Sequence, residues 1–113
     1  MDETVYKRSL KGQKIKDEEK KTYKLRFKNK TVSITKNILI GRDASNDIVL
    51  DQDPLVSRRH AVIEHSEEIS TIRDLGSTNG TYVNGNPLKE KETRRLKNGD
   101  IIKVGNTEFN FMS

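Results

Sequence analysis

The sequence contains no cysteine, only 5% of its residues are aromatic, and no long apolar run interrupts its polar character. Without cysteine there is no disulfide framework, no thiol nucleophile and no thiolate metal ligand. No apolar run approaches the roughly 20 residues of a membrane-spanning helix, and the opening MDETVYKRSLKG has no hydrophobic stretch typical of a signal peptide. We therefore expect a chain without a membrane segment that works in the cytoplasm.

The charge is large and unevenly distributed along the chain. Charged residues make up 35% of the 113 residues and hydrophobic residues 31%, which is typical of one small domain with a highly charged surface. Residues 1–37 contain 12 Lys and Arg against 5 Asp and Glu, whereas residues 38–113 contain 10 against 12. The net charge of +5 therefore comes from the amino-terminal third of the chain.

Residues 1–21 differ in pattern from the rest of the sequence. They are rich in Lys and Glu, contain few apolar residues, and show neither the period of a strand nor that of a helix. Alternation begins at Tyr23, since Tyr23, Leu25 and Phe27 would share one face of a strand. We therefore predict a flexible charged arm over residues 1–21 and a folded domain over residues 22–113.

The folded part is predicted to be all-β. After the first strand, apolar residues alternate again around residues 31–35 and 38–40, and further short strands are predicted at 48–50, 61–65, 69–74, 81–83, 101–104 and 108–111. Asn-Gly, the dipeptide that favours tight hairpin turns, occurs at 79–80, 84–85 and 98–99. Many short strands with regular turns indicate an antiparallel β-sandwich or barrel.

Three polar segments at strand ends hold the candidate functional residues: residues 41–42, residues 57–60 (SRRH) and residues 74–81 (DLGSTNGT). Together they offer arginines, hydroxyls and exposed backbone amides. Arginine presents a planar fork of donors to phosphate oxygens, and hydroxyls and loop amides complete an anion-binding cradle. The residue types therefore predict a site for a phosphorylated side chain.

Beyond these three segments, the sequence as a whole resembles the forkhead-associated (FHA) domain family. The resemblance rests on GRD followed by NDIVL, then SRRHA, DLGSTNGTYVNG and NGDIIKVG, and it extends over nearly all of residues 22–112. Several separate motifs recur in the family's order and spacing, which is more specific than any single short motif. The resemblance implies a β-sandwich of about 10–11 short strands whose loops at one end bind phosphothreonine peptides.

The resemblance also implies a role for individual residues of the loops. Arg42 would bind the phosphate together with the hydroxyl of Ser57 and the guanidinium of Arg58. Thr78 would lie against the phosphothreonine, and Asn79 would hold the peptide backbone beside it.

Three further residues would support the site without touching the ligand: Gly41, His60, which would brace the Ser57 loop, and Asn84, which would order its own loop. Arg59 would remain on the surface if a strand has already begun there, because neighbouring side chains of a strand alternate. The implied partner is a Thr-phosphorylated protein or peptide, namely a Ser/Thr kinase or its substrate, bound by a monomer without a cofactor. Peptide preference would be set near residues 43–46 and 84–89.

Two other kinds of site have the right residue types but lack the right pattern. Asp47, Asp51 and Asp53 could ligate a cation, but acidic residues in loops are more often solvated, and we expect no metal site. Ser57, His60 and Asp74 have the residue types of a hydrolytic triad. The sequence shows no G-x-S-x-G elbow and no oxyanion hole, so we expect no catalytic residues.

The basic arm suggests two further hypotheses. It could bind nucleic acid through phosphate contacts that weaken with salt, but the sequence has no interleaved aromatic and basic strand for base stacking, so this is the alternative function. Thr4 follows Asp2 and Glu3, and some relatives in the family bind a phosphorylated threonine of such an arm in their own pocket. We predict that phosphorylated Thr4 occupies this domain's site.

Overall fold

The computed structural model describes residues 22–113, so the predicted arm and Thr4 lie outside the described residues. The chain forms eleven short strands. In chain order they are β1 Lys24–Phe27, β2 Lys30–Ser33, β3 Ile38–Gly41, β4 Ile48–Val49, β5 Ala61–Ser66, β6 Ile69–Asp74, β7 Thr81–Val83, β8 Asn86–Pro87, β9 Arg94–Arg95, β10 Ile101–Val104 and β11 Thr107–Met112. The strands β8 and β9 have only two residues each and were not predicted, because neither has an alternating apolar pattern.

The strands form two sheets that pack face to face, which confirms the predicted β-sandwich. One sheet has the order β2-β1-β11-β10-β7-β8 and the other β4-β3-β5-β6-β9. All the pairs are antiparallel except β3 with β4, which run parallel with Ile40 opposite Ile48. The expectation of a purely antiparallel sandwich is wrong at this pair, because the segment between β3 and β4 returns the chain to the start of β3 and does not form a hairpin.

The core lies between the two sheets and follows the alternation of the strands. Leu25 and Phe27 of β1 point inward, and so do Phe109 and Phe111 of β11. The ring centroids of Phe27 and Phe109 are 4.6 Å apart. Fully burying such a side chain stabilises a fold by about 1.5–3 kcal/mol, so this contiguous core carries the loops at its ends on a rigid support.

The Asn-Gly dipeptides behave differently from one another. Asn84 and Gly85 form the two-residue turn between β7 and β8, and both have positive φ angles, 52° and 84°. This turn is the hairpin that the dipeptide predicts. The dipeptides at 79–80 and 98–99 instead lie between strands of different sheets, so they do not close hairpins.

The sheet register brings three loops together at one end of the sandwich. Ala61 at the start of β5 lies opposite Ile40 near the end of β3 and opposite Asp74 at the end of β6. The loops that follow β3, precede β5 and follow β6 therefore emerge side by side, and we call this the loop end. Thr22 lies with Ile69 at the opposite end, the arm end, beside a cleft of about 920 Å³. Among residues 22–113, no helix is long and apolar enough to cross a bilayer.

Candidate functional site

Arg42 is held at the loop end by the segment that precedes β5. Its backbone N–H donates to the carbonyl of Ser57 at 3.0 Å, and its Nε donates to the carbonyl of Val56 at 2.9 Å. The residue is exposed, and this is the only side-chain hydrogen bond that it forms within residues 22–113. The bond at Nε orients the guanidinium, so that its terminal N–H groups can serve a ligand.

Gly41 permits the two loops to approach each other closely. A Cβ atom at this position would lie 2.2 Å from the carbonyl oxygen of Arg58, closer than any side chain could be accommodated. The buried Asn46 fastens the same contact, since its Nδ2 donates to the carbonyls of Asp43 at 2.8 Å and Arg58 at 2.7 Å. Sequence reasoning missed Asn46 as a supporting residue, although it belongs to the NDIVL segment that carried the resemblance.

His60 joins the second loop to the third from a fully buried position. Its Nδ1 accepts the backbone N–H of Ser57 at 3.0 Å, and its Nε2 lies 2.8 Å from the carbonyl oxygen of Gly80. Because Nδ1 accepts a hydrogen bond, the ring is neutral and carries its hydrogen on Nε2, which donates to Gly80. The ring therefore spans the loops around Ser57 and Asn79.

The same two loops are also linked at their exposed surface. The backbone N–H of Thr78 donates to the hydroxyl of Ser57 at 3.1 Å, and Asn79 Nδ2 donates to the carbonyl of Leu55 at 2.9 Å. The Ser57 hydroxyl accepts in this bond, which leaves its own hydrogen available as a donor. Thr78 and Asn79 are both exposed, and Ser57 is half-buried beside them.

Asp74 orders the third loop from within. Its carboxylate accepts hydrogen bonds from the amides of Gly76 and Ser77 and from the hydroxyls of Ser77 and Thr81, at 2.6–2.9 Å. Burial is the strongest single influence and raises the pKa of Asp74, but the bonds from Ser77, Thr81 and Gly76 together outweigh it and lower the pKa. The carboxylate therefore stays ionised and saturated with donors inside the loop.

Arg58 and Arg59 are both exposed, and together with Asp43 they line a shallow cleft of about 410 Å³. The strand β5 begins only at Ala61, so the alternation expected to turn Arg59 away from Arg58 does not apply here. The pKa of Asp43 is lowered first by hydrogen bonds from Ser45, while burial raises it and the two arginines lower it slightly. Both guanidinium groups thus lie at the edge of the Arg42–Ser57 surface.

The residue types of a hydrolytic triad are present, but they are not connected as one. His60 Nδ1 binds the amide of Ser57 and not its hydroxyl, and Nε2 faces Gly80. The bonds of Asp74 go to Ser77, Thr81 and Gly76. No base lies in position to take a proton from Ser57 Oγ, so this arrangement cannot activate the hydroxyl as a nucleophile.

The acidic loop residues do not form a cation site within residues 22–113. Asp53 contradicts the expectation of a solvated carboxylate, because it is buried and accepts hydrogen bonds from Leu55, Asn106 and Thr107. Burial raises the pKa of Asp53, but these bonds outweigh it and lower the pKa. Asp53 therefore ties the turn between β10 and β11 to the loop that holds Leu55.

Asn84 lies in the β7–β8 turn, and its side chain contacts the segment before β10. Its Nδ2 donates to Asp100 at 3.0 Å, and its Oδ1 accepts the backbone N–H of Ile101 at 2.9 Å. These bonds hold the turn against β10. The structure thus brings Arg42, Ser57, Arg58, Thr78 and Asn79 to one end of the sandwich, with Gly41 and His60 beneath them and Asn84 at a neighbouring turn.

Comparisons with known proteins agree with this geometry. The family model described as FHA domain matches residues 38–105. The oxoglutarate dehydrogenase inhibitor of Corynebacterium jeikeium is 42% identical over 73 residues, which cover 65% of this chain and 48% of the relative. The glycogen accumulation regulator GarA of Mycobacterium tuberculosis is 40% identical over 73 residues, which cover 65% of this chain and 43% of the relative. The chain thus matches less than half the length of these curated relatives.

Solved structures show the same architecture. A structure described as an analysis of phosphothreonine-dependent FHA domain interactions superposes with a TM-score of 0.75 at 30% identity, covering 82% of this chain and 97% of the other. Mycobacterium tuberculosis EmbR, solved in complex with a low-affinity phosphopeptide, superposes with a TM-score of 0.74 at 33% identity, covering 80% of this chain and 24% of EmbR. The chain therefore belongs to the FHA domain family of phosphothreonine-binding modules in Ser/Thr kinase signalling, and it is a binding module and not an enzyme.

Proposed function

We propose that this chain binds the phosphothreonine of a partner protein through Arg42, Ser57 and Arg58, with Thr78 and Asn79 contacting the threonine and the adjoining backbone. The observation that carries the proposal is the pair of links from Ser57 to Thr78 and to His60, which join two separate loops beside Arg42. These links hold the donor groups in one place before a ligand arrives, so little ordering is needed on binding.

The donors available at this surface match a phosphate dianion. The terminal N–H groups of Arg42 form a planar fork, and the hydroxyl of Ser57 keeps its hydrogen for a further bond. Arg58 is exposed and adds a second positive charge. Each hydrogen bond to a charged group contributes about 1.5–3 kcal/mol net. Three or four such bonds, less the cost of association, correspond to a dissociation constant on the order of micromolar.

Thr78 and Asn79 would give the site its selectivity for a threonine within a peptide. Asn79 is anchored by its Nδ2 to Leu55, which leaves its Oδ1 as an acceptor for a peptide N–H. Thr78 is exposed immediately beside the Ser57 hydroxyl, where the methyl group of a phosphothreonine would lie. We infer that the partner is a Ser/Thr kinase or its substrate and that the chain acts as a cytoplasmic monomer.

A binding comparison tests the proposal. A phosphothreonine peptide, its dephosphorylated form and a single-stranded oligonucleotide are titrated at low and high salt by calorimetry. We expect micromolar binding of the phosphopeptide alone and a loss of at least about tenfold in the variants Arg42→Ala and Ser57→Ala. Arg95→Ala is the matched control, since Arg95 is an exposed arginine at the arm end.

Each outcome of this comparison has a clear reading. Equal binding of the phosphorylated and dephosphorylated peptides would overturn the proposal. Binding of the oligonucleotide that falls steeply with salt would favour the nucleic-acid alternative, in which the basic arm makes the contacts. A loss of phosphopeptide binding in Arg95→Ala equal to that in Arg42→Ala would show that general positive charge, and not the loop end, holds the peptide.

We further propose that the arm regulates this site through Thr4. The arm joins the domain at Thr22, at the end opposite the loops. The 18 residues from Thr4 to Thr22 span at most about 60 Å when extended, whereas a six-residue strand such as β5 or β6 is about 20 Å long. The arm can therefore reach the loop end, and tethering would raise its effective concentration toward millimolar.

A further inference from the structure

A second cleft opens at the loop end beside Asn79. It has a volume of about 420 Å³ and extends from the third loop over the outer face of β7 and β10. Leu55, Tyr82 and Ile101 supply its apolar walls. The loops near residues 43–46, where we expected part of the peptide preference to be set, do not contribute to it.

The walls of this cleft include apolar side chains that are unusually exposed. Within residues 22–113, four large aliphatic side chains are exposed, and two of them, Leu55 at 43% and Ile101 at 42%, line this cleft. The other two, Val49 and Ile69, lie outside it. Exposed apolar side chains that gather beside a binding site mark an interaction surface.

Glycines keep the cleft open. Gly80, Gly85 and Gly105 border it without side chains. A Cβ atom at Gly105 would lie 2.6 Å from Val56 and 2.8 Å from Asp53, so a larger residue at this position would push the cleft wall apart. Gly85 has open space around it, but its φ of 84° disfavours any other residue in the turn.

The cleft is continuous with the proposed phosphothreonine site. Asn79 lines the cleft, and its side chain donates to the carbonyl of Leu55, so one residue belongs to both surfaces. An extended peptide rises about 3.3 Å per residue. A side chain roughly two to four residues away from a threonine held at Thr78 and Asn79 would therefore reach the cleft.

The charges at the rim favour no ionised side chain. Lys103 and Glu108 both line the cleft, and they are directly opposite each other on β10 and β11. Their opposite charges cancel at the distance of a ligand in the cleft. The remaining lining is apolar at Leu55, Tyr82 and Ile101, so contact area and not charge would select the occupant.

We propose that this cleft takes an apolar side chain, such as leucine or isoleucine, of the same phosphopeptide, and that Leu55 and Ile101 determine this specificity. This inference rests on the proposed phosphothreonine-binding function. It names the class of partner: Thr-phosphorylated proteins that carry an aliphatic residue a few positions from the threonine.

A positional scan tests the inference. A phosphothreonine peptide with alanine at all neighbouring positions is compared with peptides that carry one leucine at each position from four before to four after the threonine. We expect one position at which leucine tightens binding about fivefold or more. The double variant Leu55→Ser with Ile101→Thr should lose this gain and still bind the all-alanine phosphopeptide. Ile69→Thr is the matched control, since Ile69 is 46% exposed at the arm end.

The outcomes separate this inference from the function on which it rests. If the all-alanine phosphopeptide binds but leucine tightens binding at no position, the apolar cleft is overturned and the phosphothreonine site stands. Persistence of the leucine gain in the double variant also overturns it, because another surface then selects the side chain. If no phosphopeptide binds while its amide spectrum shows a folded protein, the proposed function fails together with the inference.

Discussion

The Nδ1 atom of the fully buried His60 accepts the backbone N–H of Ser57 at 3.0 Å. The opposite nitrogen of the same ring lies 2.8 Å from the carbonyl of Gly80. One imidazole thereby satisfies a donor on the second loop and an acceptor on the third. Because the ring is excluded from water, the two loops keep their relative position only while both bonds exist.

Replacement of His60 should therefore damage stability and binding together. His60→Ala leaves the Ser57 amide and the Gly80 carbonyl without a partner, at a cost of about 1–3 kcal/mol each. We expect thermal unfolding to shift down by more than about 10 °C and phosphopeptide affinity to fall. The control is His65→Ala, since His65 bonds only to Ser70 and Asn37 within residues 22–113. A variant of His60 with unchanged melting and affinity would contradict this role.

Gly41→Ala should destabilise the fold for a steric reason. The added methyl group would lie 2.2 Å from the carbonyl oxygen of Arg58, so the two loops must separate. Gly85→Ala is a useful comparison, because that position has open space and only an unfavourable φ of 84°, which costs about 1–2 kcal/mol. In chemical denaturation we expect a larger loss of unfolding free energy for Gly41→Ala. Equal losses would show that the loops can separate freely.

The stability of the third loop should depend on pH through Asp74. Its pKa is lower in the folded protein than its ordinary value of 3.8, so its stabilising contribution is present above pH 3.8 and is lost as the pH falls through the folded pKa. Asp74→Asn should reduce the unfolding free energy at pH 7, and its difference from the native protein should shrink below about pH 4. Asp51→Asn, at an exposed position, should show neither effect.

Phosphorylation of Thr4 should move the arm into the loop end. In amide NMR spectra of the full chain, we expect shifts at Arg42, Ser57 and Thr78 after phosphorylation, together with weaker binding of an added phosphopeptide. Arg42→Ala should abolish the remote shifts, because the phosphate would lose its main partner. Shifts that remain confined to residues near Thr4 would remove the idea of an internal ligand.

Much of the fold could be predicted because alternation is a local property. Leu25 and Phe27, or Phe109 and Phe111, announce a half-buried strand two residues at a time, and all four are buried. Asn84 with Gly85 announced a hairpin turn in the same way. The strands β8 and β9 escaped prediction because two-residue polar segments have no period, and their pairing depends on the strands beside them.

The candidate site was predictable in its membership but not in its internal support. Hydroxyls, arginines and glycines in three loops indicated phosphate chemistry by residue type alone. Asp53 seemed a solvated loop residue, yet it is buried against Asn106 and Thr107, which are more than fifty residues away in the chain. Such contacts leave no periodic trace in the sequence.

The sequence by itself determined the strands, the turn at Asn84 and the chemical character of the loops around Arg42, Ser57 and Thr78, because these depend on residue type and local spacing. Only the tertiary structure decided that these loops meet at one end, that the buried His60 joins two of them, and that Leu55 and Ile101 border a cleft beside Asn79. The physical reason is the sheet register, which brings Ile40, Ala61 and Asp74 side by side from distant parts of the chain.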